Sequence, residues 1–155
     1  MTTIYGVFAT NPADEYEDPE DRTRAIGDFE KLGKQAWGES WNFVKGIHAH
    51  LFQHPNEFRN HAMLLPARYN LFFDIFVKII GPKHACELTW EEFDLNTRGN
   101  LSDMLYVVVN DPPDVLTCAK RYKHPHKNND PTYHAVTCIV SDKKVPYYKW
   151  LIQRM

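Results

Sequence analysis

Cys118 and Cys138 bracket three histidines near the end of the chain, in the pattern Cys118-x5-His124-x-His126-x7-His134-x3-Cys138. Thiolate and imidazole are the ligands that zinc prefers, four at a time in a tetrahedron. Cys118, His124, His134 and Cys138 therefore form a candidate metal set, with zinc as the candidate cofactor. The spacing matches no common finger, no Cys-x2-Cys pair accompanies it, and Pro125 stiffens the link between His124 and His126. The same residues also suit a basic surface loop whose cysteines pack as small apolar groups. Cys86, two residues after His84, joins the set only if folding brings it near.

A second candidate is His48-Ala49-His50. Two histidines on one face of a strand can hold the divalent cation that positions a scissile phosphate, as in HUH-type nucleic-acid endonucleases, with Tyr147 or Tyr148 as nucleophile here. The surrounding apolar spacing is helical, however, and positions i and i+2 of a helix point to nearly opposite sides. A strand at 46–51 would favour that enzyme and a helix would oppose it. His48, His50, His54 and His61 are also candidates for a shared titration near neutral pH. No Gly-rich phosphate loop, Gly-x-Ser-x-Gly elbow or Cys-x-x-Cys pair occurs, so the expectation is a protein without enzymatic activity.

A third feature is the interleaving of Lys120, Arg121, Lys123, Lys127, Lys143, Lys144 and Lys149 with tyrosines and Trp150. Cations neutralise phosphates and rings stack on bases, so these lysines and Arg121 are the candidate contacts to single-stranded nucleic acid. The alternative is a solvated basic face balanced by the acidic residues between Asp14 and Asp21. Trp37, Trp41 and Phe43 offer more aromatic surface than one helix seam needs and are the candidate protein interface, for a partner or a second copy.

The elements that must position these groups follow from pattern and composition. With 155 residues, 43% of them hydrophobic and 14% aromatic, the chain has material for one core and too many rings for general disorder. Three cysteines without framework spacing fit a reducing, intracellular setting, nucleus or cytoplasm. No signal-like start and no membrane-length apolar run is present. Residues 1–17 read as an extended arm and acidic linker, and 18–155 as one globular domain. Asp18-Pro19 suits a helix start, and apolar spacing of three and four then runs from Ile26 to Leu51, as one helix or two with a break near Gly33. Pro66 opens a second helix carrying Leu71, Phe72, Ile75, Phe76 and Ile79, which Gly81-Pro82 stops. Thr89-Trp90-Glu91-Glu92 reads as a capping box before a short helix. Leu105 to Val109 and Tyr133 to Val140 read as strands, and Tyr147 to Arg154 as a terminal helix. The expected fold is α+β and predominantly helical, a packed helix pair with a small sheet drawn mainly from the C-terminal half.

Several landmarks resemble the small accessory nuclear phosphoprotein of bocaparvovirus-like parvoviruses. They are Tyr5, Val7 and Phe8 before Asn11-Pro12; Lys34, Gly38, Asn42, Phe43 and Lys45; Arg68-Tyr69 before Phe72 and Phe76; and Cys86-Glu87 before Trp90-Glu91-Glu92. The basic, serine-rich N-terminal region typical of those proteins is missing, and Cys86 lacks a second cysteine three residues later. The resemblance implies a viral non-structural protein of the nucleus that assists genome replication and messenger-RNA processing through protein and RNA contacts, without catalysis. A self-assembling structural viral component is the further alternative.

Overall fold

The computed structural model describes residues 18–55, 57, 61–95, 101, 104–120, 135–145 and 151–153. The expected N-terminal arm, acidic linker and domain boundary at residue 17 lie outside them. Helix α1 spans Pro19–Trp37; Asp18 caps it by accepting the Glu20 N–H at 2.9 Å, and Pro19 needs no partner in the first turn. A short 3-10 turn, Gly38–Ser40, leads into α2, Trp41–Gln53. The break falls at Gly38, not at the expected Gly33. Gly38 holds φ 56° and ψ −125°, a conformation that side chains resist, and its N–H closes on the Lys34 carbonyl.

Gly33 serves close approach instead. The Trp41 indole ring lies directly on it, where a Cβ would overlap the six-membered ring. The Trp41 Nε1–H donates to Glu30 Oε2 at 2.8 Å, and Lys45 Nζ donates to Glu30 Oε1 at 3.0 Å. Those two donors hold the Glu30 carboxyl below its usual range, the indole N–H being the larger cause. The joint between α1 and α2 is thus tied by one carboxylate and one ring.

Beyond α2 the chain alternates strand and helix: β1 Ala62–Leu65, a 3-10 turn Ala67–Tyr69, α3 Leu71–Ile80, β2 Ala85–Thr89, α4 Trp90–Leu95, β3 Tyr106–Asn110, α5 Val115–Lys120, β4 Val136–Val140 and β5 Leu151–Gln153. The strands form one sheet in the order β2-β3-β4-β1-β5, and every described pairing is parallel. Helix and sheet are combined as the sequence pattern implies, and four of the five strands come from the second half.

Parallel strands buried on both faces read as continuous apolar runs rather than as alternation. Val107, Val108 and Val109 in β3 and the fully buried Val136–Val140 fit that rule. One face of the sheet carries Met63, Leu65, Tyr106, Val108, Val136 and Cys138 against Trp37, Trp41, Val44, Leu51, Phe72, Phe73 and Phe76. The other face carries Ala62, Leu64, Val107, Val109 and Ile139 against Phe93, Val115, Cys118 and Ala119. Helices α1 to α3 cover the first face and α4 and α5 the second. Phe72 is the hub of the first core, with edge contacts to Trp37 at 5.7 Å and Trp41 at 5.6 Å and a stacked contact to Phe29 at 6.0 Å. These rings join α1 and α2 to α3, and the helix expected to open at Pro66 begins instead at Leu71, after the 3-10 turn.

Two helical-face assignments need correcting: Ile26 and Leu71 are 64% and 56% exposed. Ile26 sits in the early turns of α1, ahead of the part that meets the core at Gly33, Ala36 and Trp37. Leu71 starts α3, where the apolar stripe begins at Phe72. The expected helix at 147–154 is corrected as well, since Leu151–Gln153 is a strand paired with Ala62–Leu64. At the expected capping box Thr89 Oγ1 accepts the Glu92 N–H at 3.2 Å, and Glu92 Oε1 accepts the Thr89 hydroxyl at 3.1 Å.

Candidate functional site

The strand order creates one place where chain connections part. From β1 the chain leaves toward β2, and from its neighbour β4 it leaves toward β5 on the opposite side. Ligands of parallel sheets bind outside the carboxyl ends of adjacent strands whose connections leave in opposite directions. A crevice of about 580 Å3 lies there, lined by Leu64, Pro66 and Arg68 from the end of β1, Ser141 to Val145 from the end of β4, and Gln153 from the end of β5.

Its walls are fixed by backbone bonds. The Ser141 N–H donates to the Leu65 carbonyl at 2.9 Å, continuing the β1–β4 ladder one step past the strands. Asp142 Oδ1 accepts the Ala67 N–H at 3.1 Å, which satisfies the first free donor after Pro66 and ties the two walls together. Ser141 is 4% exposed; its Oγ accepts the Lys143 N–H at 3.2 Å, which leaves its own O–H to donate. Lys143 Nζ donates to the Pro113 carbonyl at 2.8 Å, from the loop after β3. That loop carries the single described non-glycine residue with positive φ, Asp111 at 45°, whose N–H donates to the Val140 carbonyl at 2.8 Å. Lys144 is exposed, and the Arg68 guanidinium lies 5.0 Å over the Tyr69 ring.

The crevice thus gathers three cations, Arg68, Lys143 and Lys144, around one carboxylate that is already engaged. A buried hydroxyl and the Gln153 amide add neutral polar groups. The arrangement can hold an anion by charge and by donated hydrogen bonds.

The sequence candidates divide around this site. Lys143 and Lys144 belong to it. Lys120 is exposed at the far end of α5 from Pro113, and Arg121, Lys123, Lys127 and Lys149 lie outside the described residues. Arg68 and Gln153 were not among the candidates. Their signal was present in the Pro66-Ala67-Arg68 run, but only the position of β1 beside β4 makes it meaningful.

Of the zinc set only the two cysteines are described, and they lie apart. Cys118 belongs to the core under α5 and Cys138 to the core on the opposite face of the sheet, so one ion cannot take both, and His124 and His134 lie outside the described residues. Burial also pushes the Cys138 thiol far up, which opposes the thiolate that a metal needs. Cys86 is half-buried, and burial with the nearby Glu92 charge pushes it up to about 11.

The His48 and His50 pair diverges, because 46–51 lies within α2. His48 is buried; its Nδ1–H donates to the Val44 carbonyl at 2.8 Å and its Nε2 accepts the Tyr106 O–H at 3.0 Å. His50 Nε2 instead meets Glu57 Oε2 at 2.8 Å. His61 lies apart from both, with its ring against Phe43 at 5.4 Å. His54 alone stays with His50, their ring centroids 5.1 Å apart and its Nδ1 3.7 Å from Glu57 Oε1, and among the described residues no group of three or more His, Cys, Asp or Glu could hold a metal ion.

Trp37 and Trp41 are 1% and 2% exposed and belong to the core, which corrects their assignment as interface residues; Phe43 alone of the three is exposed. The α2 stripe is wider than the sequence suggested because α2 packs on both α1 and the sheet face. Among the described residues no helix is long and apolar enough to cross a membrane. No family model, curated protein or solved structure matches this chain.

Proposed function

We propose that this protein binds nucleic acid through phosphate contacts in the crevice at the ends of β1 and β4, as an interaction module that carries out no covalent step. The observation that carries this reading is the convergence of Arg68, Lys143 and Lys144 on one crevice at the divergence point of a parallel sheet. Lysine and arginine supply the sequence-independent part of nucleic-acid affinity by displacing condensed counterions. Ser141 and Gln153 add neutral contacts of the kind made to phosphate and sugar oxygens. A regulatory role in replication or messenger-RNA processing is compatible with such a module.

The test is fluorescence anisotropy with labelled single-stranded RNA over a range of salt, comparing the native chain with Lys143→Glu/Lys144→Glu. Each phosphate contact on a single strand contributes about 0.7 to the logarithmic salt slope, so losing two should flatten it by about 1.4 and weaken binding at low salt. Because Lys143 also holds Pro113, Lys144→Ala with Arg68→Ala provides a second variant outside that bond. Unchanged affinity and slope in both variants, with circular dichroism intact, would remove the crevice from nucleic-acid binding.

A further inference from the structure

The crevice is half-open, and its charge is unbalanced. About 580 Å3 falls within the roughly 300–1,000 Å3 of sites that enclose one small ligand. The buried Leu64 and Ser141 are part of its lining, at the ends of β1 and β4. Among the described residues Arg68, Lys143 and Lys144 line this cavity, with Lys143 Nζ turned to the Pro113 carbonyl, and the carboxylate of Asp142 already accepts the Ala67 N–H. The described lining therefore carries an excess of two positive charges. A phosphodiester inside a strand brings one negative charge, whereas a phosphomonoester brings about 1.5 to 2 at neutral pH and three acceptor oxygens.

We infer that the crevice takes the phosphomonoester of a single nucleotide, with the phosphate among Arg68, Lys144 and the Ser141 hydroxyl and the nucleoside directed outward. This rests on the nucleic-acid reading above and specifies it: the strand is held by its phosphorylated end, not along its length. Lys143 is a positioning residue as well as a charge, because its bond to Pro113 fixes the wall that carries Lys144. The same chemistry is available from a strand terminus or from a free nucleoside monophosphate.

The experiment compares the intact native chain with two single-stranded RNAs of one sequence, each labelled at its 3′ end, one with a 5′-phosphate and one with a 5′-hydroxyl. A nucleoside 5′-monophosphate serves as competitor, and inorganic phosphate as control. The expected result is at least about tenfold tighter binding of the phosphorylated strand, a preference that falls as pH drops through about 6, where a monoester gains its second proton. Arg68→Ala/Lys144→Ala should abolish the preference. Competition by the monophosphate at concentrations where inorganic phosphate has no effect would make the free nucleotide a ligand. Its absence, with the end preference retained, would restrict the site to strand termini. Equal binding of the two RNAs, with no competition, would overturn the monoester site and leave the nucleic-acid reading standing. Binding of the monophosphate alone would overturn the nucleic-acid reading and keep the monoester site. Binding of none of them would overturn both.

Discussion

Acidification should destabilise this protein chiefly through His48. Its ring is buried against Phe72, Phe76 and Tyr106, with the Phe76 ring centroid 3.9 Å away. A carbonyl can only accept, so the bond to Val44 fixes the proton on Nδ1, and Nε2 must take the Tyr106 proton. Tyr106 itself lies against Cys138, and burial holds both of these groups neutral, so no negative partner is at hand for an imidazolium. Burial accordingly pushes His48 down to about 4, partly opposed by the Val44 carbonyl. In the unfolded chain the ring returns to about 6.5.

Between those values the unfolded state binds a proton that the folded state refuses, so stability must fall as pH falls. The contribution is complete above about pH 6.5 and declines by about 1.4 kcal/mol per pH unit below it, so that about 3 kcal/mol is lost by pH 4. Urea unfolding of the native chain and of His48→Gln, followed from about pH 7.5 to about pH 4.5, isolates this contribution because the other histidines and the carboxylates titrate in both. The variant should be less stable at neutral pH, having lost packing and the Tyr106 bond, yet lose stability less steeply with acid. Parallel curves, within about 0.5 kcal/mol over the whole range, would refute the claim that His48 is buried in its neutral form.

Three further outcomes follow from the packing. Gly33→Ala should lose about 1–3 kcal/mol despite better helix propensity, because its Cβ overlaps a Trp41 ring that Glu30 holds in place, whereas Gly27→Ala, with open space around it, should gain up to about 1 kcal/mol; equal effects in chemical denaturation would contradict the Trp41 contact. Phe76→Ala should cost about 3–5 kcal/mol, since the ring meets Phe29, Phe52, Phe72, His48 and Tyr106, and a loss below about 1 kcal/mol would show that α3 does not face that core. Chelation should leave the thermal midpoint unchanged, because Cys118 and Cys138 sit on opposite faces of the sheet; a clear drop would restore the zinc set.

What the sequence made legible was what local chemistry decides. The Asp18 cap, the Gly81 stop after α3, the Thr89 start of α4 and the valine run of β3 each have a cause within a few residues. The parts that escaped are set by distant neighbours. Ala62–Leu65 contains no β-branched residue and is only four long, so nothing local marks it as a strand; β4 and β5 on either side supply its ladder. Leu151–Gln153 is too short for periodicity to separate helix from strand, and the pairing with β1 settles it. Trp37 and Trp41 looked surplus because the sequence could not show that one helical segment breaks at Gly38 and wraps the sheet. The crevice was half legible: Lys143 and Lys144 stood out as a basic pair, but Arg68 lies far along the chain, and only the strand order puts it opposite them.

The central claim is that the carboxyl ends of β1 and β4 form the binding face. The most direct measurement is the map of backbone amide shifts in the native chain on titration with a 5′-phosphorylated single-stranded RNA. The account predicts saturable changes at Arg68 and at Ser141 to Val145, reaching Gln153, with the amides of α1 unmoved. Changes confined to α1 and the exposed Phe43, with the crevice amides still, would contradict it.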